Sequence, residues 1–293
     1  MRPAPFRYLR PDSLDEAIAC LRRYGPGARV LAGGQSLLPL MYRRLVRPAV
    51  LVDVGRLTEL RFLTARQEGL RIGALTTHRT LETAALPPGF TAVTETARLI
   101  GHLPVRTRGT LGGSLAHAAP AAQWPVLAVL LDAEITAAGP LGSRTLKAAE
   151  FFTGPHRTAL GEDEMVVAVS LPRPAPSAAI AQFGAQDGAM PLVTAAATVE
   201  LTPERTVSAA RIVVSGVEGR PVALPRAAKA LVGTRADDAA VAAAAAAVPG
   251  LLDAADSPRA PASYRLRLAE TLTARAARAA TRRAAAVPAG GHA

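Results

Sequence analysis

The chain lacks several features that common protein classes require. Of its 293 residues only Cys20 is a cysteine, so an intrachain disulfide and an iron–sulfur cluster bound by this chain's own cysteines are both excluded. No stretch approaches the ~20 uninterrupted apolar residues that a membrane helix needs. Residues 1–7 contain no apolar core of a secretory signal. We therefore expect a cytoplasmic protein with no membrane association.

Aromatic residues are also scarce, at 4% of the chain, although the net charge is +11. Such a charge suits a polyanion or an acidic protein as partner. The basic residues are scattered, however, and the basic stripe with interleaved aromatics that is typical of nucleic-acid binding is missing. Abundant arginine, alanine, glycine and proline are equally what a GC-rich genome produces. We expect no nucleic-acid partner.

Motifs for metal or dinucleotide binding are missing as well. The five histidines and the single cysteine show no metal-ligand spacing, which predicts that the chain has no metal site. The single G-x-G-x-x-G turn of a Rossmann unit is absent too. A nucleotide, if one is bound, must be bound in another way.

Two glycine pairs dominate what is present. Gly33-Gly34 follows a β-prone segment, and Gly112-Gly113 lies within a second small, polar segment. Glycine lets backbone N–H groups approach a phosphate closely, because it has no Cβ and tolerates positive φ. Either pair alone is compatible with an ordinary tight turn. Together they predict a diphosphate bound from both sides.

The elements before residue 55 form a βαβ-like unit. Ser13 with Glu16 predicts a capping box and a helix. A strand over 29–32 leads into the first glycine pair, and a helix over 36–45 follows, with its N-terminus directed at that pair. The next strand is predicted over 50–54.

Periodicity and turn residues predict the remaining elements. The proline-rich run 172–176 marks the main boundary. We therefore divide the chain into subdomains 1–55 and 56–173, a C-terminal domain 177–286 and a disordered tail 287–293. The predicted strands are 71–75, 133–137, 164–171, 191–201 and 209–216, and the predicted helices are 91–100, 121–131, 237–248 and 264–286.

In this order the motifs resemble the FAD-binding medium subunit of the molybdenum hydroxylases, the family of xanthine dehydrogenase and aerobic carbon monoxide dehydrogenase. Residues 32–37 and 109–118 resemble its two flavin loops, and residues 72–78 resemble its short central motif. Residues 152–154 with 171–172 resemble the end of its flavin domain. A pattern over 263–276 resembles the end of its C-terminal domain.

The resemblance implies an α+β fold, in which a two-subdomain FAD-binding domain (PCMH-type) precedes a smaller α+β C-terminal domain. It implies FAD as cofactor and an oxidoreductase role in electron transfer. The partners implied are an iron–sulfur small subunit and a molybdopterin large subunit in a hetero-oligomer. Since the redox chemistry belongs to the flavin, we expect no catalytic side chain.

The same resemblance, with the chemistry of the residues, predicts the cofactor site. The glycines are expected to donate amides, the polar side chains to bond phosphate or ribitol, and Leu37 and Ile100 to pack on the rings. The predicted cofactor-binding residues are Leu31, Ala32, Gly33, Gly34, Gln35, Ser36, Leu37, Ile100, Gly109, Thr110, Gly112, Gly113, Ser114, His117, Gln123 and Val166.

Three positions depart from the family pattern. Ala119 stands where an acidic or amide residue is frequent, Gln123 stands where an aspartate binds the adenosine-side ribose, and no cation lies near Gln182. His117 is as well explained by a structural role as by cofactor contact, and Trp124 is expected in the core. Two alternatives therefore stay open, namely a stand-alone FAD-dependent oxidoreductase and a degenerate scaffold without flavin.

Overall fold

A computed structural model shows the fold and describes residues 2–66, 69–186 and 188–287. The first unit is a parallel sheet of three strands in the order β1-β3-β2, which is the arrangement expected of a βαβ-like unit. Its elements are β1 (Arg7–Leu9), α1 (Leu14–Tyr24), β2 (Ala28–Leu31), α2 (Leu37–Tyr42) and β3 (Val50–Asp53).

The start of α1 follows the predicted cap closely. Ser13 Oγ accepts a hydrogen bond from the Glu16 amide at 3.2 Å. The Glu16 carboxylate accepts from the amide of Asp12 at 2.9 Å, one residue earlier than in a standard capping box. Ala17 and Leu21 are buried on the inner face, so the apolar periodicity positions this helix against the sheet.

The helix after the first glycine pair is shorter than predicted. It ends at Tyr42 rather than at residue 45. Arg44 takes a left-handed φ of 56°, and the Leu45 amide donates to the Leu40 carbonyl at 2.9 Å, which closes the helix.

The second unit is an antiparallel sheet of five strands in the order β4-β5-β10-β6-β7, with a small β8-β9 hairpin beside it. Its helices share one hydrophobic core with the sheet, and one of them contains the second glycine pair. Its elements are β4 (Leu63–Ala65), β5 (Leu70–Gly73), α3 (His78–Thr83), α4 (Thr91–Arg98), α5 (Leu103–Arg108), α6 (Leu111–His117), α7 (Gln123–Leu130), β6 (Glu134–Gly139), β7 (Gly142–Lys147), α8 (Ala148–Phe151), β8 (Phe152–Gly154), β9 (Arg157–Thr158) and β10 (Met165–Leu171).

The third unit is an antiparallel sheet in the order β11-β12-β13-β14 with helices packed on it. Buried alanines of the last helix, among them Ala269 and Ala276, let it lie close to the sheet. The elements are β11 (Ala179–Phe183), β12 (Val193–Leu201), β13 (Val207–Ser215), β14 (Val222–Ala223), α9 (Pro225–Lys229), α10 (Asp238–Ala246) and α11 (Ala262–Ala286).

The third unit is joined to the second by polar and apolar contacts. Thr194 Oγ1 donates to the Ala121 carbonyl at 3.0 Å, and the Ser215 hydroxyl donates to the Pro120 carbonyl. Both hydroxyl residues are buried. Ala196 of β12 also belongs to the hydrophobic core of the second unit.

The predicted boundaries at 55, 173 and 177 stay predictions, and hydrophobic packing crosses the first of them. Val54, Leu57 and Met165 share one core. The predicted tail 287–293 lies outside the described residues except for Val287. None of the helices in the described part of the chain is both long and apolar enough to span a bilayer.

Candidate functional site

The two glycine segments lie against each other. A Cβ atom at Gly33 would lie 2.0 Å from the carbonyl oxygen of Arg108 and 2.9 Å from the Cα of Gly109. A Cβ atom at Gly113 would lie 3.9 Å from the Cβ of Ala32. Gly33 is not in the left-handed conformation, so its requirement for glycine is steric. The segments therefore meet with their backbones in contact.

The first segment offers unused hydrogen-bond donors. Within the described ranges, the amides of residues 33–36 donate no hydrogen bond, although the Leu38 amide already donates to the Gly34 carbonyl at 3.0 Å to begin α2. Gln35 Nε2 donates to the Gly33 carbonyl at 3.2 Å, which fixes the turn. These residues are half-buried, and consecutive free amides in such a turn form a concave site for an anion.

The second segment is a helix start rather than a turn with free amides. Thr110 is the N-cap of α6, and its Oγ1 accepts from the Gly113 amide at 3.1 Å. The Gly112 amide donates to the Ala74 carbonyl at 2.9 Å. Both amides are thus bonded within the fold, and the expectation that they donate to a diphosphate stays a prediction. Gly112 serves close packing, since a Cβ there would lie 2.6 Å from the Cβ of Ala74.

The predicted central motif lies directly beside this helix start. The His78 amide donates to the Gly109 carbonyl at 2.9 Å, and the His78 ring accepts at Nδ1 from Trp124 Nε1 at 3.1 Å. The ring proton is therefore on Nε2. Burial, together with the positive charge of Arg106, lowers the pKa of His78 to about 4. The prediction that Trp124 lies in the core is confirmed, and His78, the first residue of α3, is buried as well.

Gln123 is engaged within the fold. It is 5% exposed, and its Nε2 donates to Gln182 Oε1 at 2.7 Å and to the Leu99 carbonyl at 3.3 Å. Gln182 Nε2 donates to the same carbonyl at 3.4 Å. Two positions that depart from the family pattern thus contact each other, and the Gln123 amide nitrogen is already in use. Its predicted contact with a ribose stays a prediction.

The predicted apolar and strand residues occupy different environments. Leu37 begins α2, and Ile100 is partly buried beside the second core. Val166 is 5% exposed on β10, so its side chain belongs to the core. Leu31 ends β2, and its carbonyl accepts from the Val54 amide at 3.0 Å. Their contacts with a cofactor stay predictions.

Ser114 and His117 lie on α6 and are half-buried. The His117 ring centroid is 4.6 Å from that of His156, and the His117 carbonyl lies 3.1 Å from His156 Nδ1. Burial, and then the neighbouring His156, lower the pKa of His117. These contacts supply a structural role for His117, and its contact with a cofactor stays a prediction.

Sequence reasoning missed the role of Arg106. It donates to two carbonyls of the turn after α4 and forms an ion pair with Glu82. The sequence carried no periodic or motif signal for this contact, because Arg106 and its partners lie on three separate elements, namely α5, α3 and the turn after α4. Among the described residues, no group of three His, Cys, Asp or Glu side chains could hold a metal ion.

Comparison with known families agrees with this architecture. Residues 4–174 match the family described as the FAD binding domain in molybdopterin dehydrogenase. Residues 178–280 match the CO dehydrogenase flavoprotein C-terminal domain. The two matches cover both the glycine segments and the third sheet.

Individual proteins match over almost the whole chain. The carbon monoxide dehydrogenase medium chain of Hydrogenophaga pseudoflava is 35% identical over 289 residues, which is 97% of this chain and 100% of that protein. The 6-hydroxypseudooxynicotine dehydrogenase complex subunit alpha of Paenarthrobacter nicotinovorans is 34% identical over 94% of both chains. A chain of quinoline 2-oxidoreductase from Pseudomonas putida 86 superposes with a TM-score of 0.92 at 35% identity, covering 97% of this chain and 99% of that one.

Proposed function

Because this chain belongs to the family of FAD-binding medium subunits of molybdenum hydroxylases, we propose that it binds FAD and passes electrons from a partner's iron–sulfur clusters to an external acceptor. It is an oxidoreductase flavoprotein subunit, and FAD is its cofactor. The partners proposed are an iron–sulfur small subunit and a molybdopterin large subunit.

The contact between the two glycine segments carries the proposal. Free amides over 33–36 lie beside the backbone at Arg108 and Gly109, where side chains are excluded. An FAD diphosphate needs several converging N–H donors and room for its oxygens to approach the backbone. The first segment supplies the amide donors, and the second supplies a backbone surface packed closely against the first.

The chain's own residues have the task of binding and orienting the cofactor. FAD, when bound, supplies the redox chemistry. The amides of Gly33 and Gly34 would hold the diphosphate, and Ser36 and Ser114 are placed on the two segments to bond its oxygens or the ribitol. Ile100 would pack on the ring system. No side chain is required to act as a nucleophile or general base.

The purified chain is expected to be yellow and to bind FAD. At free FAD of about 100 times the Kd, the free energy of unfolding should rise by about 2.7 kcal/mol, because the cofactor binds only the folded chain. An absorption spectrum and urea unfolding with and without FAD measure both effects. A folded, colourless chain whose stability FAD does not change would contradict FAD binding and favour the degenerate scaffold.

An exposed basic surface supports a protein partner. We call Arg2, Phe6 and residues 42–47 the basic face; the Arg44 side chain donates to the Arg2 carbonyl at 3.2 Å and joins its two segments. Residues 2–10 and 41–52 contain no carboxylate. Tyr42 is 54% and Leu45 is 68% exposed. Arginine and tyrosine with exposed apolar side chains are typical of protein interfaces.

Reversing charge on this face should weaken assembly with an acidic partner. In the Arg43→Glu/Arg47→Glu variant we expect at least about a tenfold loss of co-purified iron–sulfur and molybdopterin subunits, since two attractions become repulsions. Co-expression of the three subunits, affinity purification and quantification of each subunit measure this.

The matched control is Arg22→Glu/Arg23→Glu on the exposed face of α1, which makes the same charge change elsewhere. Equal loss in both variants would show a general effect of net charge and would contradict docking at the basic face. A chain that binds FAD but assembles with neither subunit, in any variant, would favour the stand-alone oxidoreductase.

A further inference from the structure

We infer that Arg106 is a positioning residue for the flavin, because it bonds the turn over residues 99–101, which contains Ile100 and precedes the helix α5 that leads into the second glycine segment. The inference rests on the proposed function, since it assumes that FAD occupies this region. It adds a residue that neither the sequence motifs nor the family resemblance identified.

Arg106 bonds the second half of that turn. Its Nη1 donates to the Gly101 carbonyl at 2.7 Å and to the Ile100 carbonyl at 3.3 Å. Its Nε donates to Glu82 Oε2 at 2.9 Å. The Arg106 and Glu82 side chains are 16% and 12% exposed. A guanidinium this far from water makes stronger hydrogen bonds than an exposed one.

The first half of the turn is bonded from the other side. The Leu99 carbonyl accepts from both Gln123 Nε2 and Gln182 Nε2, at 3.3 and 3.4 Å. Three successive carbonyls, those of residues 99–101, are therefore bonded by side chains from three different elements, α5, α7 and β11. A turn whose carbonyls are all hydrogen-bonded by side chains is held in one conformation.

The turn is linked directly to the glycine contact. Arg106 lies on α5, and the carbonyl of Arg108 at the end of this helix is the group that approaches Gly33. The Gly109 amide donates to the Val105 carbonyl at 2.7 Å, which ties the start of the second segment to the same helix. A shift of the turn would therefore move the backbone of Arg108 and Gly109, against which the first segment lies.

Neutralising the charge of Glu82 is not the only role of Arg106. Glu82 has a second cationic partner, Arg79, whose Nη1 lies 3.0 Å from Glu82 Oε2 and whose side chain is 46% exposed. The pKa of Glu82 is lowered overall, because hydrogen bonds and charge from Arg106 and Arg79 outweigh the opposing effect of burial, the largest single influence. Of the two arginines, Arg106 bonds the turn, whereas Arg79 makes no hydrogen bond to it among the described residues, and an experiment can isolate this difference.

The experiment compares Arg106→Met with Arg79→Met in the full chain. Each variant removes one ion pair of Glu82, and only the first frees the carbonyls of Ile100 and Gly101. For Arg106→Met we expect FAD to bind about tenfold more weakly or worse, with an altered visible circular dichroism of the flavin and a changed reduction potential. For Arg79→Met we expect a Kd within about twofold of the unchanged chain.

Two further variants separate positioning from general destabilisation. Arg106→Lys restores one donor and should recover part of the affinity and the flavin spectrum. Gln182→Met removes one bond to the Leu99 carbonyl, so it should shift the flavin spectrum in the same direction; it also serves as the test if Arg106→Met does not fold. Urea unfolding without FAD gives the stability of each variant.

The outcomes are distinct. An Arg106→Met chain with unchanged Kd, spectrum and potential would overturn the positioning role while leaving FAD binding intact. So would equal losses of affinity in Arg106→Met and Arg79→Met. If the unchanged chain itself bound no FAD, the proposed function would be overturned and this inference with it.

Discussion

Replacing Gly33 with alanine is expected to weaken FAD binding by about a hundredfold and to destabilise the fold by about 2 kcal/mol. The added Cβ would lie 2.0 Å from the Arg108 carbonyl oxygen and 2.6 Å from its carbon. Both atoms are backbone, so no side chain can rotate away to relieve the overlap. The two glycine segments must separate, and the free amides over 33–36 then lose their place beside the second segment.

The measurements are an FAD titration and urea unfolding of the chain without FAD. Gly27→Ala is the matched control, because it lies in the same unit and its Cβ would meet only the Ala49 Cβ at 3.6 Å, an ordinary contact. Its stability should change by no more than about 0.5 kcal/mol. Normal FAD affinity in Gly33→Ala would show that the contact between the segments does not form the site.

Acidification below neutral pH is expected to destabilise the protein through His78. Burial, aided by the charge of Arg106, lowers the pKa of this histidine from its ordinary 6.5 to about 4 in the folded chain. The unfolded chain therefore binds the proton first as the pH falls. This stabilisation is complete above pH 6.5 and is lost as the pH falls towards the folded pKa. The loss amounts to about 3 kcal/mol in all, of which about 2 kcal/mol falls between pH 7 and pH 5.

The pH dependence is measured by urea unfolding at a series of pH values, for the unchanged chain and for His78→Gln. The glutamine can accept from Trp124 Nε1 but does not titrate, so its stability should fall less across this range. The lowered pKa of His117 acts in the same direction in both chains and cancels in the comparison. Parallel pH profiles would rule out His78 as the source.

Local signals in the sequence were sufficient for much of the fold. The Ser13 cap and the inner face of α1 were predicted because both depend on neighbouring residues alone. The long apolar strand β10 and the helix α11 were predicted within two residues at each end for the same reason. The short, exposed strand β7 was missed because its sequence shows no alternation of apolar and polar residues.

The site was predictable in part. The motif order indicated which segments belong to it, and the structure brings both glycine pairs together. The hydrogen bond of the Gly112 amide was not predictable, because the Ala74 carbonyl that accepts it follows a separate strand. The contacts of Arg106 likewise depend on tertiary packing, which no spacing in a single sequence reveals.

The bonds from Thr194 and Ser215 to the carbonyls of Ala121 and Pro120 have a consequence for protein engineering. A chimaera that takes the third unit from a relative and keeps residues 119–123 from this chain would join two surfaces that did not evolve together. Since Gln182 also bonds Gln123, the exchange would reach the turn at residues 99–101. Functional hybrids of such subunits should therefore exchange residues 119–123 together with the third unit.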